Sequence, residues 1–184
     1  NVMGYVAPIK EISKLAHKHK IIVAVDGAQS VPHRKVDVKD LDVDFLSFSA
    51  HKMCGPTGIG VLYGKYELLK QTDPYMSGGG MNENFYPSGK VTYFDPPMRF
   101  EAGTLNLEGI YGLKAAINYL NKIGMDNITK HEHELRSYLI KGLKKIKDIV
   151  IYNKEQPEAI IYFNIKKVHA QDLASWLGTK GVIC

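Results

Sequence analysis

Residues 21–29, IIVAVDGAQ, decide the fold, because they join a continuous apolar run to an acidic turn. The run 21–25 is rich in β-branched residues, which is typical of a strand buried on both faces of a parallel sheet. Apolar residues at helical spacing between Pro8 and Lys18 predict a helix before this strand. A helix that feeds a buried strand predicts a layered α/β sheet, in which ligands bind at the carboxyl ends of the strands. Asp26 falls at such an end.

A second stretch, residues 49–60 (SAHKMCGPTGIG), lies between two further strand candidates, 44–49 and 59–63. The connection between them is too short for a crossover helix, so this pair is predicted to be antiparallel. A lysine on a rigid turn can form an imine with an aldehyde cofactor, and a buried aspartate can keep a pyridine nitrogen protonated. Lys52 and Asp26 are the candidates for these two roles.

Each of these residues has a simpler interpretation when it is taken alone. Asp26 and Gln29 could be turn residues after a strand, and Lys52 could be a solvated loop lysine. Their combination with Ser49, His51 and a glycine-rich turn favours a site for pyridoxal 5'-phosphate.

The rest of the chain predicts a long loop and a second, smaller domain. Residues 71–104 are rich in Gly, Pro and Asn, and the glycines at 78–80 could form a hinge, a lid or a surface turn. The elements predicted after this loop are helices over 107–123 and 127–146, strands over 149–152 and 159–165, a helix over 170–177, and a last strand cut short at Cys184. We therefore expect residues 1–125 to be the C-terminal part of a cofactor-binding large domain, and 126–184 to be a linking helix with an incomplete small α+β domain.

Composition restricts the class of protein. The chain has 184 residues, of which 45% are apolar and 23% charged, as in an ordinary globular protein, and its apolar runs are too short to span a bilayer. The net charge of +5 comes from scattered lysines and indicates a solvated face rather than nucleic-acid binding. Its 2 cysteines are too few for a disulfide framework and too far apart for a metal-binding pair, so no metal site is expected. Without a signal-peptide pattern at the start, the expected location is cytoplasmic.

Ordered motifs along the chain resemble those of one family. The motifs are NVMG at 1–4, DGAQS at 26–30, SAHKMCGPTGIG at 49–60 and RFEAGT at 99–104. On these motifs the chain resembles the group II cysteine desulfurases of the SufS type. They belong to the class V aminotransferases among the fold-type I (aspartate aminotransferase-like) pyridoxal-phosphate enzymes. The resemblance covers essentially the whole chain and implies an internal fragment: a partial α/β large domain followed by the start of a small α+β domain.

The resemblance also implies a role for each motif residue. Lys52 would form the imine with pyridoxal 5'-phosphate, and Asp26 would pair with its ring nitrogen. The remaining contacts would fall to Gln29 and Asn1 at the phenolic oxygen, to Ser49 and His51 at the phosphate, and to Thr104 at the phosphate of the partner subunit. Thr104 therefore implies a homodimer with shared sites, although it could also be the N-cap of the following helix.

The implied reaction removes sulfur from L-cysteine, leaving L-alanine and an enzyme persulfide for iron-sulfur cluster assembly. An acceptor protein of the SufE/SufU kind would take the sulfur. Lys52 would be the base at the substrate's α-carbon, and a mobile cysteine would be the nucleophile. We expect Cys54 to be a buried packing residue and Cys184 to lie in a buried strand, so neither is expected to be that nucleophile. The family carries its nucleophile and its substrate-binding arginine on an R-x-G-x-x-C loop beyond the position of Cys184, so the segment alone is expected to be inactive.

Two rival interpretations remain open. One is another pyridoxal-phosphate enzyme of the same fold, such as a selenocysteine lyase or a group I desulfurase. The other is a non-catalytic scaffold for sulfur-transfer partners, which the intact set of cofactor residues argues against. His33 and His169 are weaker candidates for the site, because a lone histidine is more often structural.

Overall fold

The computed structural model describes residues 3–156 and 159–184, which fall into two compact units. The first unit is Ile9–Gly124, and the second joins the described residues up to Pro8 with Met125–Cys184. The assignment of these regions to a large and a small domain stays a prediction. In the described residues, no helix has both the length and the apolar character that crossing a membrane requires.

Within the described part of the chain, the first unit holds a three-stranded sheet in the order β1-β2-β3. The strands are β1 Ala24–Asp26, β2 Phe45–Ser49 and β3 Gly60–Gly64. β1 and β2 are parallel, with Asp26 opposite Ser47. β2 and β3 are antiparallel, with Ser49 opposite Gly60. The predicted antiparallel pair and the α/β class are confirmed, and the parallel pair brings the carboxyl ends of β1 and β2 to one edge of the sheet.

Helices complete this unit: α1 Ile9–Lys18, α2 Val38–Leu41, α3 Tyr66–Gln71 and α4 Leu107–Ile123. The sequence predicted α1 and α4, whose apolar residues recur over several turns. It missed α2 and α3, which are too short to show a period. The side chain of Asp37 caps α2 by accepting hydrogen bonds from the backbone N–H groups of Lys39 and Asp40.

Residues 71–104 do not form a loop devoid of secondary structure, as their composition suggested. They contain a 3₁₀ turn, Met98–Phe100, and an antiparallel hairpin of β4 Asn82–Phe85 with β5 Val91–Tyr93. The hairpin escaped prediction because its strands are short and an irregularity between Asn82 and Asn84 disturbs their register. Met81, directly before β4, is fully buried and anchors the hairpin.

The strand predicted over 21–25 begins only at Ala24. The buried core beside it is formed by Val23, Val43 and Leu46. Ile21 and Ile22 are 57% and 58% exposed, so the apolar run is not buried on both faces. Among the described residues β1 lies at the edge of the sheet and pairs only with β2.

A buried carboxylate joins the elements at the amino ends of β1 and β2. Asp44 is 5% exposed and accepts a hydrogen bond from the backbone N–H of Val23 at 2.8 Å. His17 Nε2 and Lys65 Nζ also lie 2.8 Å from its carboxylate oxygens, and both cations reach Asp42 as well. Burial alone would raise the pKa of Asp44, but the hydrogen bonds from Lys65, Val23 and His17 outweigh burial and lower the pKa to about 2. The hydrogen bond to Asp44 in turn raises the pKa of His17.

The second unit contains α5 Met125–Leu143, β6 Ile149–Ile151, β7 Phe163–Ile165 and α6 Ala170–Thr179. β6 and β7 are antiparallel, and the predicted order of helix, two strands and helix is confirmed. The guanidinium of the buried Arg136 donates to the backbone carbonyls of Asn153 and Ile160, and Asn153 Nδ2 donates to the carbonyl of Met3 at 2.9 Å. The prediction of a last strand ending at Cys184 is wrong: residues 182–184 pair with no strand in the described chain, and Cys184 is exposed.

Candidate active site

The residues that the sequence singled out lie at the carboxyl ends of β1 and β2. Asp26 ends β1, Ser49 ends β2, and Lys52 ends the 3₁₀ turn Ala50–Lys52 that follows. Asp26 lies opposite Ser47 on the parallel strand. Neighbouring strands are about 4.8 Å apart, and two residues of strand span about 7 Å, so Ser49 lies one strand across from Asp26 and slightly beyond it. The fold therefore places the acidic and the lysine-bearing turns at the same edge of the sheet.

Asp26 is fixed by the turn that follows β1. Its Oδ1 accepts a hydrogen bond from the backbone N–H of Ala28 at 2.9 Å, and the N–H of Gly27 donates to the carbonyl of Ser47 at 2.8 Å. In the described residues no donor reaches Oδ2, which leaves that oxygen available to a ligand. Gln29 lies half-buried in the same turn. The sequence predicted a buried aspartate, whereas Asp26 is exposed among the described residues.

Lys52 stands on a rigid turn. The N–H of Ala50 donates to the carbonyl of Ile59 at 3.0 Å, and the carbonyl of Ala50 accepts from the N–H groups of Met53 and Gly55, both at 2.9 Å. A side chain at Gly55 would not fit, because its Cβ would lie 2.9 Å from the Cβ and from the carbonyl oxygen of Ala50. Ala50 and Met53 are 0% and 6% exposed, whereas Lys52 is exposed. The turn thus fixes the backbone of Lys52 and leaves its side chain accessible.

Several polar side chains at this edge are not used by the fold. In the part of the chain that the structure describes, no hydrogen bond or ion pair occupies the side chains of Gln29, Ser49, His51 or Lys52. An amine, a hydroxyl, an imidazole and the free carboxylate oxygen of Asp26 fit a ligand that carries an aldehyde, an anion and a basic ring nitrogen. Across the described residues, no group of three His, Cys, Asp or Glu side chains is placed to hold a metal ion.

For two of the predicted site residues, Thr104 and Asn1, the described part of the structure shows no hydrogen bond to the side chains of Asp26, Gln29, Ser49, His51 and Lys52. Thr104 lies in the same unit, is exposed, and follows Gly103, whose φ is +79°. Asn106 caps α4 by accepting a hydrogen bond from the N–H of Gly109 at 2.9 Å, so the alternative that Thr104 is the N-cap is wrong. Asn1 lies outside the described residues, and its contact stays a prediction.

The packing of α4 against the lysine turn was not foreseen from the sequence. A Cβ at Gly112 would lie 2.9 Å from Cγ of Pro56, so the helix approaches the turn closely because it carries glycine there. A glycine inside a helix costs about 1 kcal/mol relative to alanine and often has a packing reason. The glycine at position 112, inside a predicted helix, was therefore the feature of the sequence that could have indicated this contact.

The remaining candidates from the sequence are Cys54, His169 and His33. Cys54 is exposed and has a φ of +63°, so the expectation that it is a buried packing residue is wrong: the buried residues of this turn are Ala50 and Met53. His169 is the N-cap of α6, since its Nδ1 accepts from the N–H of Gln171 at 3.3 Å. His33 is half-buried in the turn after β1.

The relationship of the chain to known families follows from one match over its whole length. A family model described as aminotransferase class V matches residues 1–184. The chain belongs to the aminotransferase class-V family. This class-V chain is 45% identical over 182 residues to a probable cysteine desulfurase of Halalkalibacterium halodurans, and 44% identical over 182 residues to a cysteine desulfurase of Shigella sonnei. Each match covers 99% of the chain but 45% of the relative, so the chain spans less than half the length of these curated relatives.

Solved structures of the family show the same fold. The class-V chain is similar to the cysteine desulfurase CsdA of Escherichia coli, in its S-sulfonic acid form, with a TM-score of 0.92 and 35% identity over 99% of the chain and 45% of that protein. It is also similar to the apo cysteine desulfurase of Thermococcus onnurineus NA1, with a TM-score of 0.91 and 37% identity over 100% of the chain and 46% of that protein. The predicted fold, part of a fold-type I pyridoxal-phosphate enzyme, is confirmed.

Proposed function

We propose that the whole protein is a cysteine desulfurase that depends on pyridoxal 5'-phosphate. The observation that carries this proposal is the position of Lys52: its turn is fixed by three backbone hydrogen bonds and stands at the sheet edge where Asp26 keeps a free carboxylate oxygen. Relatives that are 44% and 45% identical to the chain are named as a cysteine desulfurase and a probable cysteine desulfurase. The RFEAGT motif at 99–104 and the threonine in the lysine turn favour the group II, or SufS, type.

The residues at the strand ends fit the proposed cofactor. Oδ2 of Asp26 can accept the hydrogen bond of a protonated ring nitrogen, and its charge favours that protonated state. The hydroxyl of Ser49 and the imidazole of His51 can donate to a phosphate. Gln29, in the turn after Asp26, can donate to an oxygen on the ring. When it is bound, the cofactor supplies a ring that withdraws electrons from the α-carbon of an amino-acid substrate.

In this proposal Lys52 both holds the cofactor and moves a proton. Its Nζ would hold the cofactor at the aldehyde carbon, and would be a free amine once the amine of the substrate occupied that position. The free amine then accepts the proton from the α-carbon of L-cysteine. A cysteine thiolate would attack the substrate's sulfur, forming the S–S bond of a persulfide as the C–S bond breaks. The electron pair of the C–S bond would stay on the β-carbon, which would take up a proton, and the α-carbon would regain the proton held by Lys52, so that the carbon skeleton leaves as L-alanine. That thiolate is proposed to belong to a residue other than Cys54 and Cys184.

The partners are part of the same proposal. Thr104 would reach the phosphate bound by the other subunit of a homodimer, and its exposed position without a role in capping α4 supports an intermolecular contact. A protein of the SufE/SufU kind would take the sulfur for iron-sulfur cluster assembly. We also propose a cytoplasmic location, which the presence of 2 free cysteines supports.

The test uses the whole protein purified with pyridoxal 5'-phosphate. Borohydride reduction followed by peptide mass spectrometry should place the mass of the cofactor on the peptide that contains Lys52, and L-cysteine should be converted to L-alanine. Lys52→Ala should abolish both results. Lys114→Ala, which removes another exposed lysine in the same unit, should change neither. The proposal fails if Lys52→Ala still forms alanine at the normal rate.

The same experiment separates the rival functions. Turnover of selenocysteine without turnover of cysteine would indicate a selenocysteine lyase. Labelling of Lys52 without turnover of either compound would indicate an enzyme of this fold that acts on another amino acid. A protein that takes up no cofactor would be a scaffold.

A further inference from the structure

Gly78 and Gly79 lie against the backbone that leads into Thr104. The N–H of Gly103 donates a hydrogen bond to the carbonyl of Gly79 at 2.8 Å. A Cβ at Gly78 would lie 3.1 Å from the backbone nitrogen of Gly103 and 3.3 Å from the carbonyl carbon of Ala102. The two segments therefore touch through their main chains, and this approach is close because Gly78 has no side chain.

Residues of the β4–β5 hairpin and the residue before it hold the glycine segment, residues 78–80. The N–H of Gly78 lies 3.2 Å from Sδ of Met81, which is 0% exposed, and the carbonyl of Gly78 accepts from Nδ2 of Asn82 at 2.8 Å. The carbonyl of Met81 accepts from the N–H of Phe94 at 3.0 Å, so Met81 is bonded to the residue that follows β5. The segment is thus an ordered support rather than a free surface turn.

Few contacts restrain the backbone directly before Thr104. Gly103 has a φ of +79° and nothing within 4 Å of the position of a Cβ, so side-chain packing does not restrain it. Asn106, not Thr104, caps α4, and the described chain offers no hydrogen bond to the Thr104 hydroxyl. The hydrogen bond from Gly103 to Gly79 is the contact that fixes the backbone directly before Thr104.

We propose that the close packing of Gly78 against Gly103, held by Met81 and Asn82, positions Thr104 to donate its hydroxyl to the phosphate of the cofactor. This inference rests on the proposed function, since the anion that Thr104 would contact is the phosphate of pyridoxal 5'-phosphate. Gly78 and Asn82 are positioning residues that act through Thr104. They set the affinity for the phosphate and leave the bond between Lys52 and the aldehyde unchanged.

The experiment measures cofactor affinity in the whole apo protein, with pyridoxal 5'-phosphate and pyridoxal as paired probes, because pyridoxal lacks the phosphate. Gly78→Ala should weaken binding of the phosphorylated form about tenfold, the loss expected of one charge-assisted hydrogen bond, and should leave binding of pyridoxal unchanged. Gly79→Ala is the matched control. It keeps the carbonyl that Gly103 uses and adds a Cβ with nothing within 4 Å, so both affinities should stay at the wild-type value.

A double variant identifies Thr104 as the residue through which the segment acts. Thr104→Val alone should weaken binding of the phosphorylated form by a similar factor, and adding Gly78→Ala should weaken it no further. Independent effects that multiply in the double variant would overturn the proposal, as would equal losses for both probes. If Gly78→Ala does not fold, Asn82→Ala, which removes the hydrogen bond to the Gly78 carbonyl, should produce the same phosphate-specific loss.

Each failure has its own signature. A wild-type protein that binds neither probe refutes the proposed function. A wild-type protein that binds both, with Thr104→Val unchanged, refutes the role of Thr104 and overturns the positioning proposal with it. Losses of the same size in Gly78→Ala and Gly79→Ala overturn the positioning proposal alone.

Discussion

Replacing Asp44 by asparagine should destabilise the first unit by roughly 2 kcal/mol at pH 7. The magnitude follows from the lowering of the Asp44 pKa from 3.8 to about 2, at about 1.4 kcal/mol for each pKa unit. The side chain is only 7% exposed, so solvent screens its contacts with His17 and Lys65 weakly. The amide oxygen of the asparagine can still accept from the N–H of Val23, but its NH2 group would then face the Lys65 ammonium, so the loss includes the hydrogen bond from Lys65 as well as the charge. Urea unfolding of the whole protein, followed by far-ultraviolet circular dichroism, measures the difference.

The pH dependence gives this prediction its sharpest test. Because the pKa of Asp44 is lower in the folded state than in the unfolded state, its contribution is complete above about pH 4 and is lost as the pH falls toward 2. The gap between wild type and Asp44→Asn should therefore widen as the pH falls from 7 and His17 becomes protonated, be largest near pH 5, and shrink below pH 4. Asp40→Asn, which breaks the exposed ion pair with Lys10, is the control and should change the urea midpoint little. A gap that is absent at pH 7, or that persists undiminished at pH 2.5, would refute the reasoning.

Further predictions concern the same network and the lysine turn. The pKa of His17 is raised mainly by its hydrogen bond to Asp44. The stability that protonated His17 adds should therefore be complete below pH 6.5 and be lost as the pH rises through the raised pKa. An NMR titration of the His17 imidazole should show a lower pKa in Asp44→Asn than in the wild type. Gly55→Ala should cost about 1–3 kcal/mol by overpacking, because its Cβ would lie 2.9 Å from the Cβ of Ala50, and it should also weaken cofactor binding in a spectroscopic titration. Cys54→Ala in the whole protein should leave the rate of alanine formation at the wild-type value, and loss of persulfide formation in this variant would show that Cys54 is the nucleophile.

The sequence predicts those parts of the fold whose causes are local. The bounds of α4 were predicted because its apolar residues recur over several turns and because Gly124 ends the pattern. The antiparallel pairing of β2 and β3 followed from the shortness of the connection alone. The meeting of Asp26 and Lys52 at one edge also needed little more than two apolar runs, since parallel strands bring their carboxyl ends together.

The solvent exposure of individual side chains could not be predicted from the sequence. The burial predicted for Asp26, Cys54 and residues 21–22 depends on which elements cover them, and that information is spread over the chain. The network around Asp44 was missed for the same reason, since His17 and Asp44 are 27 residues apart and no short motif contains both.

The polar side chains at the amino end of β2 stabilise the fold, whereas those at its carboxyl end take no part in it. This separation explains how a stable fold can carry an accessible site. At its amino end, each carboxylate oxygen of Asp44 contacts a cation or a backbone N–H, and removing His17 or Lys65 takes away part of what compensates this buried charge. At its carboxyl end, roughly 17 Å away for a strand of this length, the side chains of Ser49, His51 and Lys52 have no partner in the described chain. Groups separated by that distance and sharing no partner contribute independently to stability, so substitution of Lys52 can change the chemistry of the site without drawing on the ion pairs that hold the strands together.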